Sequence, residues 1–258
     1  MKGLTRTMKD FIQVKYKFLN LDENNINPIH TIGTEGFLLY HYFLYEQGNK
    51  PICNLSIRMI QEFLNRDYDK RPIITYTKNK CNPVSLMKSK KTIVKYLKIL
   101  VNNKYIKIHN GVPSNINKPM IIQCVKTEET GFDAFPIALF INKIHRMGHI
   151  GFTILCLLGK NFNSTYGTIS CEGFANPSEE YISKVTNRDF KTVRAYLRLL
   201  ESQKLIKIKK QPAIVKGVNE YNYPIYEFIN NHYEVGYKMQ NNKYYLGENN
   251  IKKKDHND

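Results

Sequence analysis

The feature that most limits what this chain can become is that it repeats itself. Ile29, His30, Gly33, Gly36 and Phe37 recur as Ile144, His145, Gly148, Gly151 and Phe152, at an offset of 115. Ser56 to Arg66 lines up with Ser178 to Arg188 at an offset of 122, and Lys91 to Leu100 with Lys191 to Leu200 at an offset of 100. Blocks that keep their order while the spacing between them drifts are what two copies of one unit with unequal loops leave in a sequence. The drift from 122 to 100 places an insertion in the first copy at residues 67–88.

Each copy gives the same series of elements. A strand-like start (Phe11 to Leu19; Phe132 to Phe140) precedes an apolar helix (Gly36 to Tyr45; Gly151 to Leu158). A short helix follows from Ser56 or Ser178, and a third from Lys90 or Phe190, with Ser89 and Asp189 as matched N-caps. Apolar positions at 93, 96, 97 and 100, and at 193, 196, 197 and 200, mark one face of that third helix. Period 3.6 then gives way to alternation in Tyr105 to Ile108 and Leu205 to Lys209, with second strands expected at Met120 to Val125 and Tyr221 to Tyr226. Three helices and a two-stranded ribbon are the order of a winged helix. The expected fold is therefore α+β, two tandem winged-helix domains related by internal duplication. Their bounds are 9–125, a linker at 126–131, then 132–235, with a polar basic tail at 236–258.

Ser89 to Ile108 and Asp189 to Ile208 resemble the recognition helix and first wing strand of bacterial winged helix-turn-helix proteins. The tandem arrangement is similar to plasmid and phage replication initiators of the Rep type. That resemblance implies a sequence-specific protein that binds double-stranded DNA at direct or inverted repeats and engages host replication proteins. A transcription regulator, or an accessory protein of plasmid segregation or transfer, would use the same two heads, and a homodimer is open.

Charge agrees with a polyanionic partner. The chain carries 39 Lys+Arg against 22 Asp+Glu, a net +17. Lys90, Lys91, Lys95 and Lys98 lie on the first recognition helix, the last three at i, i+4 and i+7 opposite its apolar stripe. Lys191, Arg194 and Arg198 occupy the matching surface of the second, with Arg188 in the turn before it and Thr92 and Thr192 near the helix starts. Lys107 and Lys118 flank the first wing; Lys207, Lys209, Lys210 and Lys216 flank the second. Arginine can bond guanine bidentately where lysine acts as a point charge, so the second head is expected to read bases and the first to grip phosphates. The insertion adds Lys70, Arg71, Lys78, Lys80 and Lys88 around Ile73 to Thr77, as a basic arm or an elaborated loop.

No phosphate-binding loop, zinc-protease helix or recombinase motif occurs, so no catalytic residue, cofactor or metal is expected. His145 and His149 are spaced one helical turn apart, but Thr34 stands where His149 would repeat, which favours a structural histidine. The two Gly-x-x-Gly segments are expected to serve helix packing. Five cysteines without a Cys-x-x-Cys pair read as buried thiols. No run reaches the roughly 18 apolar residues of a membrane span, and the start turns polar too early for a signal peptide, so a cytoplasmic place is expected.

Overall fold

The computed structural model describes residues 11–66, 72–77, 80–83, 87, 89–125, 131–162, 174–228 and 230–238. The first half runs β1 (Phe11–Lys15), a 3-10 turn (Tyr16–Phe18), α1 (Pro28–Gln47), β2 (Cys53–Leu55), α2 (Ile57–Asn65), β3 (Ile73–Thr77), β4 (Lys80–Pro83), α3 (Lys90–Asn102), β5 (Ile106–Ile108) and β6 (Met120–Cys124). The second runs β7 (Phe132–Pro136), α4 (Ile137–Lys160), α5 (Glu179–Thr186), α6 (Phe190–Ser202), β8 (Ile206–Lys209), β9 (Ala213–Val218), β10 (Pro224–Phe228) and β11 (His232–Val235). The class is α+β, with small antiparallel sheets set against helices.

Local chemistry fixes the helix starts. Ser56, Ser89, Ser178 and Asp189 each accept the backbone N–H three residues on, satisfying one of the four donors that a helix start leaves unpaired. Gly33 and Gly148 explain why α1 and α4 begin well before the expected Gly36 and Gly151. Each sits inside a long helix at a kink, with φ/ψ of 71°/162° and 66°/−178°. That region is essentially closed to residues bearing a Cβ. Helix packing is the role of the second glycine in each pair: Gly36 and Gly151 lie under Tyr96 and Tyr196, where an added Cβ would come within 3.6 and 3.3 Å of the ring.

The strand-like starts are shorter than expected. Strand character stops at Lys15 and at Pro136, and Ile137 to Phe140 already belong to α4. The two starts also pair with each other: β1 and β7 run antiparallel with Phe11 opposite Pro136, Gln13 opposite Ala134 and Lys15 opposite Phe132. The halves therefore share a sheet, and they share a core. Phe37 of α1 meets Phe152 of α4 at 5.5 Å between ring centroids, and Phe135, Phe140 and Phe152 join the same buried cluster.

The sheet that follows each third helix has a matching row of three residues. Ile108, Ile122 and Cys53 stand side by side across β5, β6 and β2. Ile208, Tyr233 and Ala175 do the same across β8, β11 and an isolated bridge. The strand paired with β8 is thus His232–Val235 and not the expected Tyr221 to Tyr226. Residues 213–228 instead form a separate hairpin, β9–β10. Alternation marks a strand but not its partner, and here the partner lay one hairpin further on.

The chain stays in the fold past residue 235. Tyr237 is buried, its hydroxyl donates to Asp133 Oδ2 at 2.7 Å, and Lys238 pairs with the same buried carboxylate. The expected tail boundary at 236 is corrected accordingly; 239–258 lie outside the described residues, as do 126–130 of the expected linker.

Candidate nucleic-acid interface

On α3 the stripe Ile93, Leu97 and Leu100 is buried, which turns Lys90, Lys91, Lys95 and Lys98 to solvent. Among the described residues no carboxylate pairs with these four. Lys90 Nζ donates to the Ser114 carbonyl at 2.5 Å, tying the helix start to the loop before β6, and Lys95 Nζ lies 5.3 Å from the Tyr96 ring centre. Thr92 is used locally, its hydroxyl 2.8 Å from Ser89 Oγ. With Val94 and Ile99 the four lysines line an open depression of about 630 Å³. Lys107 and Lys118 are exposed on β5 and on the loop that leads to β6.

α6 presents a narrower strip. Lys191, Arg194 and Arg198 are exposed, while Thr192 is held by the Asp189 cap through both its N–H and its hydroxyl. Arg194 Nε donates to Glu179 Oε2 at 2.6 Å, which orients the guanidinium and neutralises part of it. Ala195 and Leu199 are 5% and 6% exposed, yet their counterparts Lys95 and Ile99 lie open or half-open on α3. β3 packs against α6, and its Ile74 is buried. The insertion of the first half is therefore a hairpin laid on the third helix of the second; Lys70, Arg71, Lys78 and Lys88 within it lie outside the described residues.

The second wing is less basic than its lysines suggest. Lys209 Nζ is 2.5 Å from Glu234 Oε1 and Lys207 Nζ 3.9 Å from Glu234 Oε2, while Lys216 pairs with Glu227 at 2.9 Å. Lys210 is exposed. Glu179, Glu227 and Glu234 are the residues that sequence reasoning missed, because cross-strand and cross-helix pairing is not written in local spacing.

Arg188 is placed differently from the expectation. Its Nη2 donates to Thr34 Oγ1 at 2.9 Å and to Glu35 Oε2 at 3.1 Å, both on α1 of the other half. Thr34 Oγ1 also lies 2.8 Å from His149 Nδ1, and Glu35 Oε1 lies 3.8 Å from His149 Nε2. Burial works against the Glu35 carboxylate, but His149 and Arg188 together hold its pKa below the ordinary value. Burial pushes His149 down to about 4, so it is neutral near pH 7 and serves the junction as a hydrogen-bonding ring. His145 is buried on the same helix, and among the described residues no group of three or more metal-ligating side chains converges. Arg188 closes the seam between the halves and leaves the outward strip to Lys191, Arg194 and Arg198.

No described helix is long and apolar enough to cross a membrane. No family model, no curated protein and no solved structure matches this chain.

Proposed function

We propose that this chain is a tandem winged-helix protein that binds double-stranded DNA through the outward faces of α3 and α6, in the manner of a replication initiator. The observation that carries the reading is the four-lysine face of α3, free of carboxylate partners among the described residues, set in one molecule with the Lys191, Arg194 and Arg198 strip of the matching helix. Lysines held without acids on a convex helix have phosphate oxygens as their natural counter-charge. The equivalent rows Ile108–Ile122–Cys53 and Ile208–Tyr233–Ala175 support two copies of one winged-helix unit. Arg188 is not part of the DNA surface in this reading.

Titrating a random-sequence duplex at increasing salt tests it. With about six to ten phosphates neutralised, affinity falls by about 10³ to 10⁵ between 50 and 200 mM salt. A flat response removes the proposal. Bound sites recovered by selection and matching direct repeats beside the protein's own gene support initiation over the other DNA-binding roles.

A further inference from the structure

The β9–β10 hairpin has the composition of an interface and no partner within the described fold. Ile214, Val215, Val218 and Ile225 are all about half exposed, and Tyr221 and Tyr223 at the tip are 72% and 68% exposed. A monomer gains nothing by holding six large apolar side chains in water on one ribbon. The tip is also pre-shaped: the Asn219 side chain accepts the N–H groups of both Tyr221 and Tyr223 at 2.9 Å. Residues 213–228 carry one lysine and two glutamates, so the ribbon is mildly acidic on a chain of net +17. That balance fits a basic protein surface better than a phosphate backbone.

The molecule shows which surface takes such a hairpin. On α6, against which β3 packs, the positions Ala195 and Leu199 are buried. The second half has only Asn187 and Arg188 between α5 and the Asp189 cap, so it supplies no hairpin in return, and the matching positions on α3, Lys95 and Ile99, stay open. What remains is a depression with Val94 and Ile99 as apolar floor and four lysines around it.

We propose that the β9–β10 ribbon of one molecule docks on the open α3 face of a second copy of this chain. Ile214 and Ile225, which share one face of the ribbon, supply the apolar contact, and Glu220 meets the lysine rim. The contact joins two different surfaces, so it is heterologous and builds a ring where the rotation closes and an open chain where it does not. It uses lysines that the proposed function gives to DNA, so a second copy and a duplex exclude each other at α3.

Sedimentation of the full chain without nucleic acid tests the contact, so its failure says nothing against DNA binding. Ile225→Glu disables the ribbon and Lys95→Glu the α3 face; both side chains are solvent-accessible, and Ile214→Glu and Lys98→Glu provide a second pair. Wild type is expected to rise above the 30.3 kDa chain mass as its concentration increases about a hundredfold. Each variant alone should stay at that mass. Mixed in equal amounts, the two should form a complex of twice that mass and no larger, because each retains one intact surface. Wild type that remains a monomer, association that survives either substitution, or a mixture that fails to complement overturns the proposal.

Discussion

Thr34 and His149, which match at an offset of 115 in the sequence, hydrogen-bond to each other at 2.8 Å. Contact between matched residues, beside an antiparallel pairing of the two strands, is the pattern of a two-fold-like arrangement. Phe37 and Phe152 meet in the same way, as do Gln13 and Ala134 at the centre of the β1–β7 pair. The two halves thus face each other as the subunits of an isologous dimer would. Glu35 breaks the symmetry: its counterpart is Ile150, so one carboxylate serves the whole junction and draws in Arg188 from one side only.

Two buried histidines make stability depend on mild acid. Burial lowers His149 and His41 from 6.5 to about 4. The Glu35 carboxylate beside His149, and the Phe37 carbonyl accepting from His41, only partly oppose that. In the unfolded chain both rings take up protons near 6.5; in the fold they stay neutral until about 4. Their contribution is whole above 6.5 and is lost as pH falls through that window, on the order of 3 kcal/mol for each ring. Urea melts at pH 7 and pH 4.5 should show the loss, and His149→Gln should flatten part of the slope. Equal midpoints at both pH values would refute the assignment.

Gly33→Ala and Gly148→Ala should each destabilise the chain by about 1 to 3 kcal/mol, since the kink conformation excludes a Cβ. Gly217→Ala is the contrasting control: its φ is not positive, and no atom lies within 4 Å of the added carbon. Thermal melts should rank the kink variants below that control. The reverse order would mean that the kinks straighten at little cost.

Arg188→Ala should weaken the fold by about 1 to 3 kcal/mol by removing hydrogen bonds to Glu35 and Thr34. It should leave the salt dependence of duplex binding unchanged, measured where the variant is fully folded. A salt slope reduced by one unit would return Arg188 to the DNA surface.

On the outward faces the two heads should differ. Arg194→Ala and Arg198→Ala are expected to lose about 1 to 3 kcal/mol at particular base pairs and flatten preference there. Lys95→Ala and Lys98→Ala should weaken every sequence alike and lower the salt slope by about one each. Oligonucleotide selection with each variant decides between them; a changed consensus from the lysine variants alone would reverse the heads.

Much of this was legible before any coordinates. Ser89 and Asp189 announce their helices because a cap is a contact over three residues, and the stripes at 93, 97 and 100 and at 193, 197 and 200 follow from helical period alone. What stayed hidden was long-range. The hydrogen bond of Arg188 to Glu35 joins residues 153 apart in the chain, beyond the reach of any local pattern. Nothing in the segment of α6 reveals that β3 packs against it. Of the strand expected at 221–226 only 224–226 is strand, within β10, and its partner is β9 and not β8. Periodicity reports that a face is buried and is silent on what buries it.

The pairing of β1 with β7 sets an order of events during synthesis. Phe11 leaves the ribosome long before Pro136 exists to pair with it, so the first strand must wait, unpaired at both edges, while the rest of its own half is made. Late, non-local pairing of this kind slows folding and leaves an open edge to go astray. The first half translated alone would keep β1 without its neighbour and Phe37 without Phe152. A gene truncated near residue 125 should therefore yield an insoluble fragment and not a smaller working head.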